Sequence, residues 1–96
     1  MTIEKSTQGT TVTLKITGWL DTQTTPMLQS EIDAVDDTVT AMVIDCAALE
    51  YISSAGLRQI VAAYKKLNGE LILRGVSEEV MSIIRITGLD KRIKFE

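Results

Sequence analysis

The sequence contains no histidine. That removes the commonest metal ligand and the side chain best suited to act as a general base near neutral pH, so metal hydrolases and Ser-His-Asp hydrolases are excluded and no metal or cofactor is expected. Cys46 is the sole cysteine. It has no partner for an internal disulfide, fits a reducing compartment, and follows an apolar run, which reads as packing more than as redox chemistry. Aromatic residues make up 4% of the chain, so the core must be aliphatic and a stacking platform for single-stranded nucleic acid is missing. No apolar run approaches the roughly 20 residues a membrane span needs. Met1-Thr2-Ile3-Glu4-Lys5 does not have the character of a signal peptide. The expectation is a cytoplasmic protein with no membrane insertion. A net charge of −3 also argues against the basic footprint of direct nucleic-acid binding, and suits a basic protein partner. Nor is there a glycine-rich phosphate loop.

What is present fits one core. At 96 residues the chain is expected to be a single domain, residues 1–96. Ile3 to Thr7 and Val12 to Thr17 read as two strands joined by the Gln8-Gly9 turn, the second alternating Val12, Leu14 and Ile16 with polar residues. Gly18-Trp19-Leu20-Asp21 closes that strand. Thr24-Thr25-Pro26 opens a helix expected near 25–36, with a capping hydroxyl, a proline in the first turn and a stripe of Leu28, Ile32 and Val35. Ala41-Met42-Val43-Ile44-Asp45 is a short apolar run that suits a strand covered on both faces. Leu57, Ile60, Val61, Tyr64 and Leu67 mark one face of a helix over 54–67, stopped by Asn68-Gly69. A strand at 70–74 follows. Ser77 then caps a helix over 77–87 that carries Glu78 and Glu79 in its first turn and ends at Gly88, and residues 91–95 make a last extended segment. The fold class is therefore α/β. It is a mixed sheet of about four strands with an N-terminal hairpin and packed helices, in which 40–45 and 70–74 run parallel through a right-handed crossover.

The stretch Glu50-Tyr51-Ile52-Ser53-Ser54-Ala55-Gly56-Leu57-Arg58 joins the central strand to the central helix. Either serine can serve as N-cap, leaving the other hydroxyl to face solvent. On the residues alone both serines read as caps. A catalytic role for Ser54 finds no support, since the glycine-flanked serine elbow is missing and Lys65 and Lys66 lie two or more turns away. The chain is not expected to be an enzyme. Arg58, Gln59, Lys65 and Lys66 line the outer face of the helix, as charged residues on a solvated face do.

These residues resemble the STAS domain family, and in particular the small bacterial anti-sigma factor antagonists. The likeness lies in a strand ending at Asp45, then Tyr51-Ile52-Ser53 and Ser54-Ala55-Gly56-Leu57. It extends to Gly18-Trp19-Leu20-Asp21, Gly75-Val76-Ser77 and Thr87-Gly88-Leu89-Asp90. In that register the family's phosphorylated serine falls on Ser54, and Ser53 stands where the family often has Asp, as a rival acceptor. The resemblance implies partner contacts at Asp21, Ser53, Ser54, Gly56 and Arg58. Asp21 also has a simpler reading as a side-chain turn. The implied function is a phosphorylation-switched protein that sequesters an anti-sigma factor serine kinase and so frees a sigma factor, with a serine phosphatase to reset it. The alternative is a cytoplasmic STAS subunit of a membrane transport system, such as a lipid-transporting ABC complex.

Overall fold

The computed structural model describes residues 1–96. Strands β1 (Thr2–Gln8) and β2 (Thr11–Leu20) lead to helix α1 (Thr25–Asp33), strand β3 (Ala41–Ile52), helix α2 (Ser54–Lys66), strand β4 (Leu71–Arg74) and helix α3 (Glu78–Thr87). A 3-10 turn at Leu89–Lys91 and a short strand β5 (Lys94–Phe95) complete the chain. The sheet has five strands in the order of the sequence, β1 to β5. The fifth comes from the last extended segment, which pairs parallel with β4 at Ile72 and Leu73. β1 and β2 form the antiparallel hairpin, whereas β2 with β3 and β3 with β4 are parallel.

Strands added in order on one side, through crossovers that all have the same hand, as the general preference for right-handed connections favours, put every helix on the same face. The core agrees. Its 21 buried residues form one cluster in which Val12, Leu14, Ile44 and Leu73 of the sheet meet Leu28, Ile32, Ile60 and Ile84 of the three helices. β3 is consequently not covered on both faces. Met42, Ile44 and Cys46 are buried while Ala41, Val43 and Asp45 are only half-buried on the uncovered side. Across that side run Glu4, Lys15, Asp45 and Arg74, each opposite the next on neighbouring strands. Charges of alternating sign placed opposite one another keep the face polar and the register fixed.

β3 also runs well past Asp45, where a loop was expected. Two extra residues fall within it. Lys15 and Thr17 of β2 face Asp45 and Ala48, and Gly18 and Trp19 face Leu49 and Tyr51. Each register shift moves the inward positions by one, so the buried side chains go from a spacing of two (Met42, Ile44, Cys46) to a spacing of three (Cys46, Leu49, Ile52). The Asp45 carboxylate accepts from the Ala47 N–H at 3.0 Å, supporting the first shift, and pairs with Arg74 at 3.3 Å.

Helix α1 stops at Asp33, short of the expected 36, although Val35 remains buried. Its end is held from outside. Lys66, which looked like part of a solvated face, donates from Nζ to the Ile32 carbonyl at 2.7 Å and the Asp33 carbonyl at 3.3 Å, serving the orphan acceptors of a helix C-terminus. The start differs too. The Thr24 hydroxyl does not cap α1; it donates to the Trp19 carbonyl at 2.7 Å. Helices α2 and α3 begin as read, with Ser53 and Ser77 capping Gly56 N–H and Val80 N–H. Asn68, Gly69 and Gly88 all take positive φ where the helices end.

A sheet covered on one side makes the two faces of β3 energetically unequal. Ile44→Ala is expected to cost about 2–5 kcal/mol, the range for a buried large-to-small change, whereas Val43→Ala costs about 1 kcal/mol or less. Urea unfolding of both variants measures the difference.

Candidate functional site

The carboxyl ends of β2 and β3 and the start of α2 form the candidate site. Leu20 anchors it. Its carbonyl accepts the Ser53 N–H at 2.8 Å, and its side chain lies where a Cβ on Gly56 would stand, 2.8 Å from Cγ. Ile52 Cγ1 would meet the same Cβ at 3.0 Å. Gly56, expected among the partner contacts, is buried, and the structure gives it a packing role: its missing side chain lets the first turn of α2 lie against the sheet.

The two serines divide their work. Ser53 is the N-cap, with extended backbone and its Oγ accepting the Gly56 N–H at 3.2 Å. Ser54, the first residue of α2, is exposed and its hydroxyl makes no hydrogen bond within the chain. No acidic residue occupies the first turn of α2, in contrast to α3 with Glu78 and Glu79. Ser54 and Arg58 line one shallow groove of about 280 Å³, with Leu57 and Val61 of α2 on one side and Thr87 and Leu89 on the other.

Asp21 sits in the turn after β2 and is half-buried. Its Oδ1 accepts from the N–H groups of Gln23 and Thr24, both at 3.0 Å, and the Thr25 hydroxyl donates to its carbonyl at 2.6 Å. These are the bonds of a side-chain turn. The two N–H bonds to Oδ1 hold the carboxyl below its ordinary value of 3.8, the Thr24 N–H contributing most. Cys46 is buried, and loss of solvent pushes its thiol up to about 12, which keeps it protonated and unreactive.

Sequence reasoning did not find the aromatic pair. Trp19 and Tyr51 face each other across β2 and β3 with ring centroids 5.3 Å apart, and they stay 56% and 39% exposed. Leu20 and Ile52, the next positions, point into the core, so their aromatic neighbours point out. The signal in the sequence was the pairing of two scarce aromatic residues, each one step before a buried aliphatic.

The profile of the family described as STAS domain matches residues 2–96. The anti-sigma-B factor antagonist of Staphylococcus aureus (strain NCTC 8325 / PS 47) is 31% identical over 93 residues, which span 93% of this chain and 86% of that protein. The crystal structure of an anti-sigma factor antagonist from Mycobacterium paratuberculosis is 31% identical and superposes with a TM-score of 0.87 over 98% of this chain and 83% of its own. The phosphorylated form of the Bacillus cell fate determinant SpoIIAA shares the fold at 18% identity, with a TM-score of 0.78 over 99% and 91% of the two chains.

Two measurements test this geometry. Ser53→Ala should cost about 1 kcal/mol, the usual value of a lost N-cap, while Ser54→Ala stays within about 0.5 kcal/mol of the parent; thermal melts of the pair read the contrast. The second concerns acid. Because the folded Asp21 carboxyl lies below its ordinary value, its contribution is complete above pH 3.8 and is lost as pH falls through the folded value. Asp21→Asn keeps an acceptor for the turn but no charge. Urea titrations should show the variant less stable than the parent at pH 6, as a chosen condition well above the window, with the gap closing below pH 3.8.

Proposed function

The chain belongs to the STAS domain family, and on that premise we propose that it is an anti-sigma factor antagonist whose binding is switched by phosphorylation of Ser54. Unmodified, it binds an anti-sigma factor that has serine kinase activity, and the sigma factor is released. The kinase transfers the γ-phosphoryl group of ATP to the Ser54 Oγ, so that an Oγ–P bond forms, the bond to ADP breaks and the hydroxyl proton passes to solvent. The modified antagonist then dissociates, and a serine phosphatase restores the hydroxyl in the cytoplasm.

The observation that carries this reading is the division between the serines. Ser53 supplies the cap, so Ser54 is free, exposed and unbonded at the start of α2. A phosphate there leaves the cap in place, and a helix N-terminus tolerates negative charge. The effect of modification therefore falls on the interface and not on the fold. The partner surface of the proposal comprises Ser54, Arg58 and the rims around Ser53 and Asp21, and the exposed Trp19 and Tyr51 at the same end of the sheet supply the aromatic contact area that interfaces favour. The named relatives are antagonists, which favours this reading over a transporter subunit. The absence of any helix long and apolar enough to cross a membrane is compatible with either.

The test is incubation with ATP and a candidate anti-sigma factor kinase, followed by mass spectrometry; phosphate on Ser53 alone would refute the assignment. A companion experiment uses Ser54→Asp. A carboxylate at the first helical position is well tolerated by the helix, so the variant should melt like the parent. Burying its charge against a surface shaped for a hydroxyl costs several kcal/mol, and about 1.4 kcal/mol is tenfold in affinity. Calorimetric titration should show binding to the kinase at least about tenfold weaker, and equal affinities would remove Ser54 from the interface.

A further inference from the structure

We infer that Arg58 is the built-in counter-ion for a phosphate on Ser54, so that modification withdraws a cation from the surface as well as adding an anion to it. The inference rests on the reading of Ser54 above and adds what the phosphate binds within its own chain.

Ser54 is the first residue of α2, and Arg58 lies four positions further along the same helix. Side chains at that spacing are neighbours, about 5–6 Å apart at Cβ. Helical Cα–Cβ bonds tilt toward the N-terminus, and long side chains lie over the turn that precedes them. The Arg58 stem therefore runs toward Ser54. Both residues line the same groove, and the residues that face them across it, Thr87 and Leu89, carry no charge.

Arg58 is also unoccupied. Arg74 is held by Asp45 and Arg85 by Glu78, whereas Arg58 is exposed and enters no ion pair or side-chain hydrogen bond. The first turn of α2 holds no acid that could compete for it. An anion placed four residues before a cation is the more favourable order on a helix. A planar guanidinium can meet two phosphate oxygens at once, a geometry that an ammonium group does not reproduce. In the unmodified protein Arg58 faces solvent and is free to meet an acid on a partner; once Ser54 carries phosphate, the guanidinium turns to its own chain.

The experiment installs phosphoserine at position 54 during translation and follows its second ionisation, ordinarily near about 6, by phosphorus NMR. In the phosphorylated parent the midpoint should lie a few tenths of a unit or more below that of phosphorylated Arg58→Gln, with Arg58→Lys between them. The gap should shrink at about 1 M salt, where the screening length falls to about 3 Å. Identical titrations for parent and Arg58→Gln overturn the inference. Should Arg58→Gln fold poorly, phosphorylated Arg58→Ala, which also removes the charge, takes its place, and a midpoint equal to the parent's overturns the inference as well. Because no kinase is used, a kinase that ignores Ser54 counts against the proposed function and leaves this titration to stand or fall by itself.

Discussion

The carboxyl end of the sheet depends on one close approach. With no Cβ at position 56, the first turn of α2 lies directly against Leu20 and Ile52, and the Leu20 carbonyl takes the N–H of Ser53. Those contacts fix where β3 ends and where α2 begins. They leave the next residue, Ser54, at the surface with nothing to bond. A side chain at position 56 would push the helix away from the sheet and move both serines with it, so a buried glycine sets the geometry of an exposed hydroxyl.

Much of this was legible in the sequence because it is set locally. The 3.6-residue periodicity marked α2 and α3, Ser77 and Gly88 marked the ends of α3, and the alternation of Val12, Leu14 and Ile16 marked β2. What could not be read was set by neighbours in space. The run from Ala41 to Asp45 looks the same whether one face or two are covered. β3 was cut short in the reading because two inserted residues change its inward spacing from two to three, and a strand with that pattern no longer alternates. Lys66 serves the last carbonyls of α1, a contact between residues more than thirty positions apart that no local rule foretells.

The candidate site was legible to a similar depth. Pattern placed two serines at the start of a helix; only the backbone shows that Ser53 is extended and capping while Ser54 has already entered the helix. Asp21 illustrates the reverse. Both of its readings were open, and the bonds to Gln23 and Thr24 give its carboxylate a structural occupation whatever else it touches. Trp19 was hidden because large aromatic residues are usually mostly buried, and its exposure follows from a pairing that the register of β2 and β3 creates.

The agreement between strand order and sequence order bears on how the chain assembles. Every strand pairs with the strand made just before it, so no segment must cross the sheet to find a partner and no early strand waits for a late one. The parallel pairings still close whole crossovers, Thr11 with Ala41 and Met42 with Leu71, but none skips an intervening strand, which keeps the loop-closure cost below that of a reordered sheet. A nascent chain can lay down the hairpin, dock β3 across α1, then β4 across α2, extending one growing edge as it leaves the ribosome.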